Sequence, residues 1–106
     1  MHKDTRHTMN DKLDYNFDIK KTANLDHTLA VFLIPRLEKF IELKNGYPDG
    51  ETSESYDEKL NFILKSLKDY YLEDDKQTSL VEQIARIENA KKAIKILSEL
   101  WFNLWW

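Results

Sequence analysis

Chemistry needs particular side chains at particular spacings, and three sets in this 106-residue chain merit attention on that ground. His2, Asp4 and His7 carry metal-binding atoms, but they lie in a polar, charged stretch with no element to fix their geometry. Asp26, His27 and Thr28 are consecutive and can be written as an acid-base set. A helix start accounts for them more simply. Asp26 then caps by accepting hydrogen bonds from first-turn amides, and His27 faces solvent or the neighbouring helix. The third set is Arg36 and Lys39 with Tyr47 and Tyr56. Arg36 and Lys39 would hold phosphate, Asp26 and Thr28 would hydrogen-bond a ribose or base, and the tyrosine rings would stack on it. Free amides at the helix start add positive potential there. Arg36 and Lys39 lie two turns or more downstream of that end, so they would approach it only across a symmetric dimer.

What is missing narrows the function further. The chain has no cysteine, hence no disulfide, thiolate nucleophile or cysteine metal site, and a reducing cytoplasm suits it. It has no glycine-rich phosphate loop, no histidine pair at helical spacing and no metal-binding carboxylate repeat. Its two glycines, Gly46 and Gly50, both look structural. We therefore expect no catalytic residues, no metal, no cofactor and no enzymatic turnover.

Composition sets the frame for the elements. With 42% hydrophobic and 33% charged residues of both signs, the sequence describes one folded domain with a thin core. A net charge of −3 and a pI near 5.6 argue against general nucleic-acid binding. No apolar run is long enough to span a bilayer, and MHKDTRHTMNDK lacks the apolar middle of a secretory signal. A soluble protein that stays where it is made is the expectation.

The elements that must position these residues are helices. The run LDHTLAVFLIPRLEKFIELKNGYP has a start signal at Asp26, a dense apolar body, an interior Pro35, and a stop at Asn45-Gly46 before Pro48. Pro35 predicts a kink near Val31 to Pro35 that either bends the helix around a core or exposes a carbonyl beside Arg36. Thr52 or Ser53 can cap a second helix with a stripe at Tyr56, Leu60, Ile63, Leu64, Leu67, Tyr70 and Tyr71, leaving Phe62 off the stripe as a contact between subunits. Glu73-Asp74-Asp75 has the wrong charge for a helix C-terminus and should be a solvated loop. Ser79 to Glu82 is a capping box opening a third helix whose face, Leu80, Ile84, Ile87, Ala90, Ile94, Leu97, Trp101 and Leu104, recurs nearly every seven residues. Its end, with Trp101, Trp105 and Trp106, has more aromatic surface than one neighbouring helix can bury. Upstream, Leu13, Tyr15, Phe17 and Ile19 alternate with polar residues at the period of a strand with one buried face. The expectation is an all-α three-helix bundle: a mobile tail at 1–12, an extended arm at 13–24 and one helical domain at 25–106. Its helices should fall at about 26–45, 53–72 and 79–105. The unpaired arm and the long third helix predict an even-numbered homo-oligomer in which Phe62, Trp101, Trp105 and Trp106 make contacts.

The segment LDHTLAVFLIPRLEKF, then GYP, a Thr-capped helix with Tyr56, and a terminal LWW resembles a widespread family of small phage and prophage proteins of unassigned function. The matching residues are Leu25, Asp26, Thr28, Leu29, Ala30, Pro35, Arg36, Leu37, Gly46, Tyr47 and Pro48, with Leu104, Trp105 and Trp106. Two places depart from that pattern: Ala23-Asn24 replaces an aromatic, and Ser55 a usually acidic residue. The resemblance implies phage origin and the cytoplasm of an infected bacterium. Combined with the residues above, it predicts a counter-defence protein that binds without turnover. A sponge for a cyclic nucleotide or cyclic ADP-ribose-type immune signal would use Asp26, His27, Thr28, Arg36, Lys39, Tyr47 and Tyr56. The alternative is a protein-binding inhibitor or phage assembly factor acting through helical faces and the arm. A membrane role for the tryptophans is not expected, because no basic helix face accompanies them.

Overall fold

A computed structural model describes residues 13–72 and 79–104. Three α-helices form the fold: α1 (Leu25–Leu43), α2 (Ser53–Tyr71) and α3 (Leu80–Leu100). A 3-10 turn at Ile19–Thr22 precedes them and another at Trp101–Asn103 follows. The protein is an all-α three-helix bundle, as the periodicity predicts. Expectations that fall on residues 1–12, on Glu73-Asp74-Asp75 and on Trp105 and Trp106 lie outside the described residues.

The caps explain where α2 and α3 begin. Thr52 Oγ1 accepts from the Ser55 amide at 3.0 Å while the Thr52 amide donates to Ser55 Oγ at 2.9 Å, so two orphan donors are satisfied reciprocally. Ser55 thus does with a hydroxyl what an acidic residue does elsewhere in such boxes. Ser79 Oγ accepts from the Glu82 amide at 3.2 Å at the start of α3.

α2 is the middle of the molecule. α1 packs on one side of it and α3 on the other, and α1 and α3 do not approach each other among the described residues. The Cα envelope of 52 × 39 × 20 Å is accordingly flat. The core lies along α2, where Tyr56, Leu60 and Ile63 are all but sealed from solvent. α1 contributes Ala30, Ile34 and Leu37 to this core, and α3 contributes Ala93 and Leu100. The small side chains of Ser66, Ala90 and Ala93, all buried, suit a close approach of α2 and α3.

Several local expectations are corrected. α1 begins at Leu25, and Asn24 occupies the cap position without a side-chain bond, so Asp26 is a first-turn residue rather than the cap. The left-handed residue is not Gly46 but Gly50, with φ of +89°, in a turn closed by the Glu51 amide on the Pro48 carbonyl at 3.1 Å. Lys44 leaves α1 in an extended conformation instead. α3 stops at Leu100, where the chain tightens into the 3-10 turn, so it is shorter than the predicted run to 105. Phe62 is half-buried against the core with the Lys92 ammonium 5.6 Å from its ring centroid, because a central helix needs a second face toward α3.

The arm does not form a strand among the described residues. An Asx turn (Asn16 amide to Asp14 Oδ1, 2.8 Å) and the Asp18-capped 3-10 turn interrupt it. Its alternating residues Leu13, Tyr15, Phe17 and Ile19 are all exposed. The predicted seven-residue face of α3 also divides. Ala90, Leu97 and Leu104 turn inward, whereas Leu80, Ile84, Ile87, Ile94 and Trp101 stay exposed. α3 carries two stripes where one was expected.

Candidate functional site

The seven residues expected to hold a ligand separate into three places along α1, which at 19 residues is roughly 28 Å long. At its N-terminal end, Asp26 Oδ2 accepts from the Tyr71 hydroxyl at 3.1 Å and the His27 ring stands edge-on to Tyr71 at 6.2 Å. Burial, followed by the bond to Asp26, pushes the Tyr71 phenol up to about 12. Thr28 Oγ1 donates to the Lys21 carbonyl at 2.9 Å and ties the 3-10 turn to α1. Asp26 therefore fastens α1 to the end of α2, and Thr28 fastens the arm. Asp26 and Thr28 are thus side-chain anchors of the fold as well as polar groups.

In the middle of α1 lie Arg36 and Lys39. The Arg36 guanidinium folds back along its own helix, donating from Nη1 to the Phe32 carbonyl at 2.8 Å and covering the Phe32 ring at 3.7 Å. Pro35 deprives the Val31 carbonyl, not that of Phe32, of its helical donor, so this side-chain bond is an additional one, a residue further on. Lys39 pairs with Glu42 at 3.1 Å, with both side chains well exposed. Such a pair contributes little stability.

Beyond the C-terminal end of α1, the loop after Lys44 and the start of α2 form a cleft of about 320 Å³ lined by Phe40, Lys44, Asn45, Tyr47, Tyr56 and Asn103 among others. Tyr47 and Tyr56 are the only expected ligand residues that line it. Tyr47 is exposed, while Tyr56 is buried and its hydroxyl donates to the Asn103 carbonyl at 3.0 Å. Burial raises the Tyr56 phenol above its ordinary range, with the Glu51 charge a smaller contribution. The Lys44 ammonium sits 5.5 Å from the Tyr56 ring centroid and 2.5 Å from Asp57 Oδ1, an oxygen with no hydrogen-bond donor of good geometry. The contact is thus an ion pair, and Lys44 is largely neutralised. Nearby, Glu51 takes a Ser55 hydroxyl bond at 2.7 Å and the Lys59 ammonium at 2.5 Å. The Lys59 hydrogen bond, then that of Ser55, holds its carboxyl below the usual range.

The cleft can accept a planar ring against tyrosine and proline faces, with side-chain amides at its rim. Its one lining ammonium is already paired, so it is poorly provided for a multiply charged phosphate. Lys44, Asn45 and Asn103 carry no sequence signal that would have singled them out. They meet because the 44–48 loop and the end of α3 converge on Tyr56.

The second feature that sequence reasoning missed is apolar. On α1, Leu25, Leu29, Phe32, Arg36, Lys39 and Leu43 follow one another in steps of four and three on the side away from Ala30, Ile34 and Leu37. The four hydrophobic members of that row are 44–59% exposed. Among the described residues no group of three His, Asp or Glu side chains could hold a metal, and no helix is long and apolar enough to cross a membrane.

The fold and site define an all-α protein of three layered helices with apolar outer faces and one small aromatic cleft. The chain matches no family model, no curated protein and no solved structure.

Proposed function

We propose that the protein acts by binding without turnover, docking a protein partner on the outer row of α1. The observation that carries this reading is the row itself: Leu25, Leu29, Phe32 and Leu43 exposed at coiled-coil spacing, with Arg36 and Lys39 set between them. A contiguous exposed apolar stripe on a small protein is the signature of an interaction surface. The complement is an amphipathic helix whose apolar residues meet Leu25, Leu29 and Phe32 and whose carboxylates face the two cations. The phage-like pattern in the sequence makes a bacterial defence protein, or a phage assembly component, the kind of partner that would present such a helix.

The test is an affinity capture from bacterial lysate with the full chain and with Phe32→Glu, each checked for helicity by circular dichroism. A stoichiometric protein held by the wild type and lost by the variant is the expected result. Equal capture by both, or by neither, would overturn docking on α1.

A second reading rests on the cleft. Tyr47, Tyr56, Asn45 and Asn103 offer ring faces and amides to a nucleotide-derived immune signal, and the protein would sequester it as a sponge. Isothermal titration against cyclic nucleotides and cyclic ADP-ribose isomers, with Tyr47→Ala as the control, decides it. Absence of binding at high micromolar concentration would remove this reading and leave the first untouched.

A further inference from the structure

α3 carries a surface that the reading above does not use. Ala90, Ala93, Leu97 and Leu100 form its seam with α2. Most of the remaining large apolar residues, with Lys91 and Ser98 among them, form another line: Leu80, Ile84, Ile87, Lys91, Ile94, Ser98 and Trp101, spaced alternately by four and three. At 100° per residue these seven positions fall within a strip about 100° wide that flanks the seam, its centre about 110° round the helix from the seam's centre. The apolar members remain exposed, at 70% for Leu80, 51% for Ile84, 38% for Ile87, 52% for Ile94 and 56% for Trp101. A row at strict seven-residue spacing runs beside the strip: Val81, Glu88, Lys95 and Phe102. Both belong to a surface that a single chain leaves in water.

We infer that this surface is a dimer interface: two copies of the chain pair through their α3 helices, antiparallel, about a two-fold axis beside residues 92 and 93. The charge pattern fixes the partner and the direction. Antiparallel pairing with Ile84 opposite Trp101 of the second copy places Ile87 opposite Ser98 and Lys91 opposite Ile94. In that register the adjoining row is complementary to itself. Val81 falls beside the second copy's Phe102, and Glu88 beside the second copy's Lys95, each pair occurring twice by symmetry. Within one chain Glu88 has only a long, exposed contact to Lys91 at 3.8 Å, which leaves its carboxylate able to face a second lysine. Parallel pairing would instead set Lys91 against its own copy at the centre of the interface. In the antiparallel arrangement the Lys91 stem lies on Ile94 and the ammonium reaches the rim.

The area is sufficient. From their exposures, the strip and the row leave on the order of 800 Å² of large apolar side chain in water on each copy, about what one partner of a standard stable interface buries. The pairing uses no residue of the outer row of α1, so the two surfaces are tested separately.

The experiment is native mass spectrometry and light scattering on the purified full chain, followed by charge reversal in the row. The wild type is expected at twice the 12.7 kDa chain mass at micromolar concentration. Glu88→Lys and Lys95→Glu should each weaken the dimer by about tenfold to a hundredfold in Kd, because each turns two attractive pairs into repulsive ones. The double reversal should restore most of that loss. Both positions are exposed, and circular dichroism is to be recorded on each variant as the check that it is folded. A monomer at about 100 μM would overturn the inference. So would a dimer indifferent to Ile87→Glu, or single reversals that the double fails to rescue, since another face or another register would then be responsible. A dimer dispersed by Phe32→Glu and not by Ile87→Glu would assign self-association to α1 and likewise overturn it.

Discussion

Replacing Pro35 by alanine should stabilise the protein. Pro35 is the eleventh of nineteen residues in α1 and is exposed, so the change alters the backbone and leaves the core intact. In a helix interior proline costs about 3 kcal/mol relative to alanine, from the missing donor and the clash with the carbonyl four residues back. Two effects reduce the gain. The unfolded chain recovers freedom when proline is removed, worth about 0.4–1 kcal/mol. Val31, whose carbonyl gains the new amide, is about half exposed, so the restored hydrogen bond largely replaces one to water and contributes about 1 kcal/mol or less. The net is a stabilisation of about 1–2 kcal/mol, or a rise in Tm of roughly 5–10 °C for a domain of this size. Thermal and urea unfolding followed at 222 nm measure it, and the Arg36 contact with Phe32 is expected to survive. A fall in Tm and in the urea midpoint together would refute this reasoning. It would mean that Ala30, Ile34 and Leu37 meet α2 only because proline shapes the helix.

Leu60→Ala should cost about 2–5 kcal/mol, because Leu60 is fully buried in the core along the middle helix and its loss leaves a cavity there; urea midpoints report this. Thr52→Ala should cost about 1 kcal/mol by leaving the Ser55 amide without its cap, measured by the same unfolding curves. An alkaline absorbance titration at 295 nm should find one tyrosine ionising near pH 12, which is Tyr71. Its folded pKa lies above the ordinary value near 10, so its stabilising contribution is whole below pH 10 and is lost as pH rises through 12. In Asp26→Asn that late midpoint should move down toward 10, though burial keeps it from arriving there.

Helix existence was legible because it depends on local spacing. The caps at Thr52 and Ser79, and the buried run Tyr56, Leu60, Ile63 and Leu67, are readable from residues three and four apart. The Asp26 and Gly46 expectations failed for a related reason. Both residue types suit the proposed roles, but a helix start can shift by one residue, and the left-handed turn sits at Gly50, where the chain reverses into α2. The candidate site was less legible still. Tyr47 and Tyr56 line one cleft, while Arg36, Lys39 and the Asp26 group lie along the length of α1, and nothing in the linear spacing told these cases apart.

The sequence by itself determined the class: three helices, no cysteine chemistry and an acidic balance, since these follow from composition and from periods shorter than two turns. The tertiary structure alone decided that α2 lies between α1 and α3, which do not meet. That arrangement determines which apolar residues are core. In a closed bundle every helix would bury its stripe against two others, and Leu29, Phe32, Ile84 and Ile94 would be ordinary core residues. In a flat layer each outer helix has one neighbour and keeps its second face exposed, because periodicity marks which residues share a face but not how many faces the fold covers.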